Sequence, residues 1–239
     1  MSHTTFYKFL NRYKEQGENA LNGLIPCNLR RRKQPGSWIK RPANTGPVHA
    51  PQPGYLMSQD GKLIGRLAGI GKVYVQVVVD CASSYGWARL YTDKTAESAA
   101  DFLDYVHRNY QSMDVKLRRA LTDNGKEYGS SKPTYDHYYG ATCLILGVKH
   151  KTTKVKHPWT NGYTERFIQT LYQEFFQVAL RCKRYFSVEE LQSDLNKFLL
   201  YYNWERPHQG RRTRGRTPAQ AFFVPYTDQL LLPAPKLVA

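Results

Sequence analysis

Acidic residues are scarce in this sequence, cysteines scarcer still, and no apolar run approaches the length needed to cross a bilayer. The four cysteines, Cys27, Cys81, Cys143 and Cys182, lie far apart, with no Cys-x-x-Cys pair and no matching histidine spacing. That pattern excludes a zinc module and a disulfide framework, and it suits a reducing compartment. The longest apolar stretches fall well short of the ~20 residues a membrane helix requires, and the N-terminus lacks the apolar centre of a secretion signal. A soluble, cytoplasmic protein with no membrane partner is expected. No internal repeat or low-complexity tract stands out. Nineteen Asp and Glu are set against thirty-five Lys and Arg, a formal net charge of +16 in 239 residues. Such an imbalance favours a polyanionic partner and counterion release on binding.

The positive charge is concentrated rather than smeared. Residues 1–54 carry Lys8, Arg12, Lys14, Arg30, Arg31, Arg32, Lys33, Lys40 and Arg41 against Glu15 and Glu18, and the stretch 206–216 carries Arg206, Arg211, Arg212, Arg214 and Arg216 with no acid. Residues 4–16 read as a helix, with Phe6, Leu10 and Tyr13 on one face and Gly17 at its end. Prolines at 26, 35, 42, 47 and 51 then rule out regular structure and leave an extended basic strap. The expected organisation is a short helical segment at 1–25, a basic Pro-rich linker at 26–52, a core at 53–224 and a tail at 225–239.

Within the core the period changes to that of an α/β domain. Tyr55–Gln59 reads as a strand. Val73–Val79 is nearly all β-branched or aromatic, as a strand buried on both faces should be. Tyr85, Trp87, Arg89 and Tyr91 alternate on one face of a third strand, and short gaps between the three suggest an antiparallel meander. Thr95 caps a helix through Asn109, and Leu117–Thr122 reads as a strand ending at Asp123. A helix near 134–146 and a strand near 147–152 follow. A helix opening at Gly162 places Phe167, Leu171, Phe175, Val178 and Cys182 on one stripe. Ser187-Val188-Glu189-Glu190 and Thr217-Pro218-Ala219-Gln220 are capping boxes that open two further helices, the second with Pro at its first position. This order predicts an α/β fold: a ribonuclease H-like mixed five-stranded sheet flanked by helices.

Three acids in separate settings stand out: Asp60, Asp123 and Glu165. Carboxylates brought together from different elements can hold two Mg²⁺ ions, which clamp the attacking and leaving oxygens of a phosphoryl displacement. Each also has a local reading. Asp60-Gly61 is a favoured hairpin turn, Asp123-Asn124-Gly125 suits a turn, and Glu165 at a helix start favours the helix dipole. Asp80, closing the strongest strand, is the rival first carboxylate, although it also fits that strand's exit turn. Glu97 gives a competing set, Asp60–Glu97–Asp123, although with Thr95 it also reads as ordinary capping.

Several segments in order resemble bacterial insertion-sequence transposases of the retroviral-integrase type. They are Pro53-Gly54-Tyr55-Leu56 leading to Asp60, Gly71–Gln76 leading to Val79-Asp80, Leu121-Thr122-Asp123-Asn124-Gly125, Thr160–Phe167 around Glu165, and Tyr202–Gly210. The likeness covers residues 50 to 224, and residues 1–25 are similar to the second half of the family's helix-turn-helix. The resemblance implies a DDE triad of Asp60, Asp123 and Glu165 that binds two Mg²⁺, with Mn²⁺ able to substitute. It implies DNA partners, both element ends and target, at least a homodimer, and a bacterial, nucleoid-associated setting. Water would first cut a DNA phosphodiester, and the freed 3′ hydroxyl would then attack target DNA. Arg30, Arg31, Arg32, Lys33, Lys154, Lys156, Arg166, Arg211 and Arg212 are the candidate DNA contacts. Trp159 and Tyr163 are candidates for stacking on an unpaired base. Departures from the pattern are Gly61-Lys62, where a hydroxyl or aromatic residue is expected, and Tyr172 in place of a basic residue. Two other functions remain open: a non-catalytic or truncated DNA-binding remnant, and a ribonuclease H-type nuclease.

Overall fold

The β-branched run Val73–Val79 lies inside β2 (Gly71–Asp80) and is buried against helices on both sides of a sheet. The computed structural model describes residues 50–129, 137–153, 162–210 and 213–224. The segment 1–25, the linker through residue 49 and the tail 225–239 lie outside these residues.

Five strands form one mixed sheet in the order β3-β2-β1-β4-β5. β1 (Met57–Leu67), β2 and β3 (Gly86–Tyr91) are the antiparallel meander, while β4 (Arg119–Thr122) and β5 (Lys149–Thr152) run parallel to β1 and to each other. α1 (Ala96–Ser112) and α2 (Tyr138–Ile145) cover one face, meeting Met57, Val78, Trp87 and Ala120. α3 (Gly162–Thr170) and α5 (Val188–Trp204) cover the other, meeting Val73, Val75, Val77 and Leu90. The expected ribonuclease H-like sheet is thus present, with its meander and its parallel pair.

β1 runs eight residues beyond the expected Gln59, so its hairpin turn falls between Leu67 and Gly71. Lys62, Gly65 and Arg66 conceal this extension from an apolar pattern, because the overhang pairs on one side only and its register shifts between Leu63 and Gly65. Asp60-Gly61 is therefore mid-strand and makes no turn.

α3 continues into a π-helical turn, Leu171–Phe176, and then α4 (Gln177–Cys182). A π turn holds one more residue per repeat than an α turn and rotates everything downstream. Phe167, Leu171 and Phe175 lie on the expected buried stripe, but Phe176 joins them and Val178 and Cys182 are turned into solvent. Ala179 and Leu180 pack toward the core instead.

The caps follow the sequence closely. Ser98 N donates to the Thr95 hydroxyl, and Glu190 N to that of Ser187. The Glu190 carboxylate accepts from Phe186 N, one residue before the cap, so this box is offset. At α6 (Pro218–Phe223) both bonds of the Thr217–Gln220 box are made.

Candidate functional site

The sheet register builds the site. β1 and β4 align Met57 with Ala120 and Ser58 with Leu121. The same offset, carried two residues further, sets Asp60 level with Asp123, just past the end of β4. Neighbouring strands lie about 4.8 Å apart, so two carboxylates are presented side by side. Both occupy the α3 face: Asp60 is paired with Val77 of the core beneath α3 and α5, and Leu121 packs near Tyr163. The Ser58 hydroxyl lies 3.4 Å from that of Thr164, which seats the first turn of α3 over β1 close to Asp60. Glu165 is the next residue, exposed in that turn. The structure thus gathers three elements, with Asp60 and Asp123 adjacent and Glu165 on the neighbouring helix start. Among the described residues, no three His, Cys, Asp or Glu side chains are close enough to hold a metal ion together.

Backbone donors fix the two aspartates. Asp60 Oδ1 accepts from Gly61 N at 2.7 Å, and Asp123 Oδ1 accepts from Gly125 N at 2.8 Å, closing an Asx turn. The structure also explains Gly61. A Cβ there would sit 2.7 Å from Nε2 of the fully buried Gln76, so a larger residue would require that amide to move. The Gln76 amide oxygen accepts from Tyr128 Oη at 3.0 Å. On the same face, Gln59 donates to Ala99 O, Tyr139 Oη donates to Gln59, and Thr122 Oγ1 lies 2.8 Å from His150 Nε2. Residues flanking both aspartates are therefore anchored from below.

Burial, followed by the charge of Asp123, raises the Asp60 carboxyl from 3.8 to about 6; Glu127 adds to this, while the Gly61 amide and Lys94 oppose it. An acidic cluster this poorly neutralised suits a divalent cation, and its all-oxygen donors suit Mg²⁺. A pH dependence follows for the metal-free chain. A carboxyl whose folded value lies above its unfolded one stabilises the fold at low pH, and that contribution is lost as the pH rises. Stability should fall between pH 4 and pH 7 by about 3 kcal/mol from this group, and Mg²⁺ should restore part of it above pH 6. Urea unfolding in EDTA at several pH values checks this, and a profile flat over that range would contradict it.

Two members of the cluster went unseen in the sequence. Glu127 is only 7% exposed, and its Oε1 lies 2.8 Å from Lys94 Nζ. Its carboxylate fills the space where a Cβ on Gly125 would sit, 2.6 Å away, so a larger residue there would push this carboxylate off its place. Burial of Lys94 works against its charge, but Glu127, Asp60 and Asp123 outweigh it and raise its pKa. An acid four residues past Asp123 was the only sequence signal for Glu127, and Lys94 offered none, since its partner is distant in the chain.

The alternatives are placed differently. Asp80 is fully buried away from the cluster and accepts from Gly54 N, Ala82 N, Ser83 N, Ser83 Oγ and Tyr110 Oη, all at 2.8–3.0 Å. It organises the exit turn of β2. Glu97 is exposed in the first turn of α1. Among the candidate DNA contacts Arg166 is exposed on α3; Arg30, Arg31, Arg32, Lys33, Lys154, Lys156, Arg211 and Arg212 lie outside the described residues, as does Trp159. Tyr163 is partly buried beside Leu56 and Leu121. His208 is pushed down to about 4 by burial and by Arg206, and it packs edge-on against Tyr202 while Arg206 pairs with Glu174.

The integrase core domain family matches this chain over residues 50–158 and again over 146–218. A Caenorhabditis elegans protein is 30% identical over 168 residues, covering 69% of this chain and 12% of that protein. A putative integrase of a Spiroplasma virus is 24% identical over 144 residues, covering 57% of this chain and 39% of the relative. The chain thus spans well under half the length of either. Among solved structures, a simian T-cell lymphotropic virus intasome has a chain similar at TM-score 0.59 and 19% identity, covering 99% of this chain and 78% of that one. The HTLV-2 integrase catalytic core in complex with magnesium is similar at 0.53 and 18%, covering 72% and 97%. The BIV integrase catalytic core is similar at 0.52 and 20%, covering 71% and 93%. These likenesses establish a shared fold.

Proposed function

Starting from a chain that carries an integrase core domain, we propose that it cuts DNA strands and transfers them to target DNA, as a transposase or integrase. The observation that carries this reading is the register that sets Asp60 level with Asp123 on one face of the sheet. Glu165, on the helix turn that Thr164 seats against β1, is the third carboxylate of the proposed set, which among the described residues is not drawn close enough to hold one ion together. When bound, divalent magnesium or manganese would neutralise charge on the phosphate and on the attacking and leaving oxygens. Asp60, Asp123 and Glu165 would hold the ions. The buried Glu127 aims Lys94, which stays protonated and offers one fixed cation to a phosphate. In the first step water oxygen bonds to phosphorus and the 3′ oxygen leaves with a proton. In the second, that 3′ hydroxyl bonds to a target phosphorus and the target 3′ oxygen leaves. The phosphoryl group stays on DNA throughout. We further place it on DNA ends as at least a dimer, since one site acts on one end at a time.

The test is a cleavage and strand-joining assay with labelled DNA ends in Mg²⁺, Mn²⁺ and EDTA. Metal-dependent joining that Glu165→Gln reduces by about 10²-fold or more, and Glu97→Gln leaves intact, supports the reading. DNA binding without cleavage in any metal would mean a non-catalytic remnant. Loss with Glu97→Gln, with cleavage of RNA–DNA hybrids, would mean a ribonuclease H-type nuclease.

A further inference from the structure

Three cations gather on the face of the sheet that bears the aspartates: Arg119 on β4, and Lys149 and Lys151 on β5. The register sets Arg119 directly across from Lys149 and Leu121 across from Lys151. Leu121 packs with Leu56 and beside Tyr163, which fixes this as the α3 face. The Arg119 guanidinium lies 4.3 Å from the ring centre of Tyr55 and donates to its hydroxyl. Lys151 is held below the usual lysine range by burial, then by Arg119, with Lys149 adding to it. The ion pairs among the described residues join other partners, so no acid among the described residues pairs with these three.

Like charges directly opposite on a ladder destabilise a sheet. Lysines on an edge strand can be explained as guards against pairing with another chain. That explanation covers Lys149 and Lys151 but not Arg119, which lies on an inner strand, half-buried and clamped by Tyr55. A clamped cation facing two others is a preformed seat for a chain of phosphates.

We propose that Arg119, Lys149 and Lys151 form a phosphate track for duplex DNA, leading along β4 and β5 toward Asp123. The four residue steps from Arg119 to Asp123 span roughly 13 Å of strand, so the track would hold the flank within about four base-pair steps of the reacting bond. Its direction rests on the strand-transfer reading above, but its binding does not require that reading.

The experiment measures binding of the full chain to a short blunt DNA duplex across a salt series in EDTA. The triple variant Arg119→Gln/Lys149→Gln/Lys151→Gln should flatten the plot of log affinity against log salt by up to about 3, and Lys151→Gln alone by about 1. Thermal unfolding of the single variant confirms its fold. An unchanged slope in a folded variant overturns the track, and new self-association with that unchanged slope identifies the lysines as edge guards. Asp60→Asn, assayed in parallel, should keep the parent slope while losing cleavage. A flattened slope with no cleavage by the parent in any metal would leave the track standing and remove the strand-transfer reading; the reverse pattern would do the opposite.

Discussion

Asp60→Asn should yield a chain that is more stable than its parent in EDTA at pH 7.5, binds DNA normally, and has lost cleavage by roughly 10²–10³-fold or more. Asparagine keeps the side-chain volume and the oxygen that accepts from Gly61 N, yet removes the charge that burial and Asp123 oppose. The gain in stability is bounded by the gap between 3.8 and about 6, about 3 kcal/mol. It should shrink toward zero below pH 4, where the parent carboxyl is already protonated. Asp123→Asn should show the same loss of cleavage. Urea unfolding paired with the Mg²⁺ cleavage assay reads both effects. A variant less stable than the parent at pH 7.5 would mean that Asp60 serves the fold, and one that still cuts would remove it from the chemistry.

The opposite sign is expected at Asp80→Ala. Five donors converge on this carboxylate from Gly54, Ala82, Ser83 and Tyr110. Removing it strands buried N–H and O–H groups and opens a cavity, a loss on the order of 3–5 kcal/mol. The folded fraction should show an unfolding midpoint shifted well down in urea, without the pH dependence at Asp60 being altered. Little or no loss of stability would mean that these donors find other partners. The two aspartates lie on the two strands of the same antiparallel pair, so the contrast between them separates a carboxylate that costs the fold from one that holds it. Burial raises the carboxyl of Asp80 as well, yet its hydrogen bonds leave no room for another ligand.

The sequence revealed most where chemistry is local. The β-branched run of β2, the alternation of β3 and the three capped helices follow from period and cap residues alone, and so does Asp123 at the end of its strand. Resemblance supplied the grouping of Asp60, Asp123 and Glu165, and the structure shows how the β1–β4 register brings the first two together. What could not be read is nonlocal. Lys94 meets Glu127 only because the chain folds back, and the space beside Gly125 is taken by that carboxylate. The phase change at Leu171–Phe176 has no sequence signal of its own, so an uninterrupted helical period puts Val178 and Cys182 on the wrong side. Gly61 looked like a departure from a family pattern, and the room it leaves is taken by Gln76 from the next strand.

The two margins of the sheet are finished differently. Along β3, amide side chains of α5 occupy the positions a sixth strand would take: Asn203 accepts from Gly86 N and donates to Gly86 O, and Gln192 accepts from Leu90 N and donates to Ala88 O. That border is sealed by mimicry of a backbone, so any protein that lengthens this sheet through main-chain pairing has to dock beside β5, where it must first contend with Lys149 and Lys151.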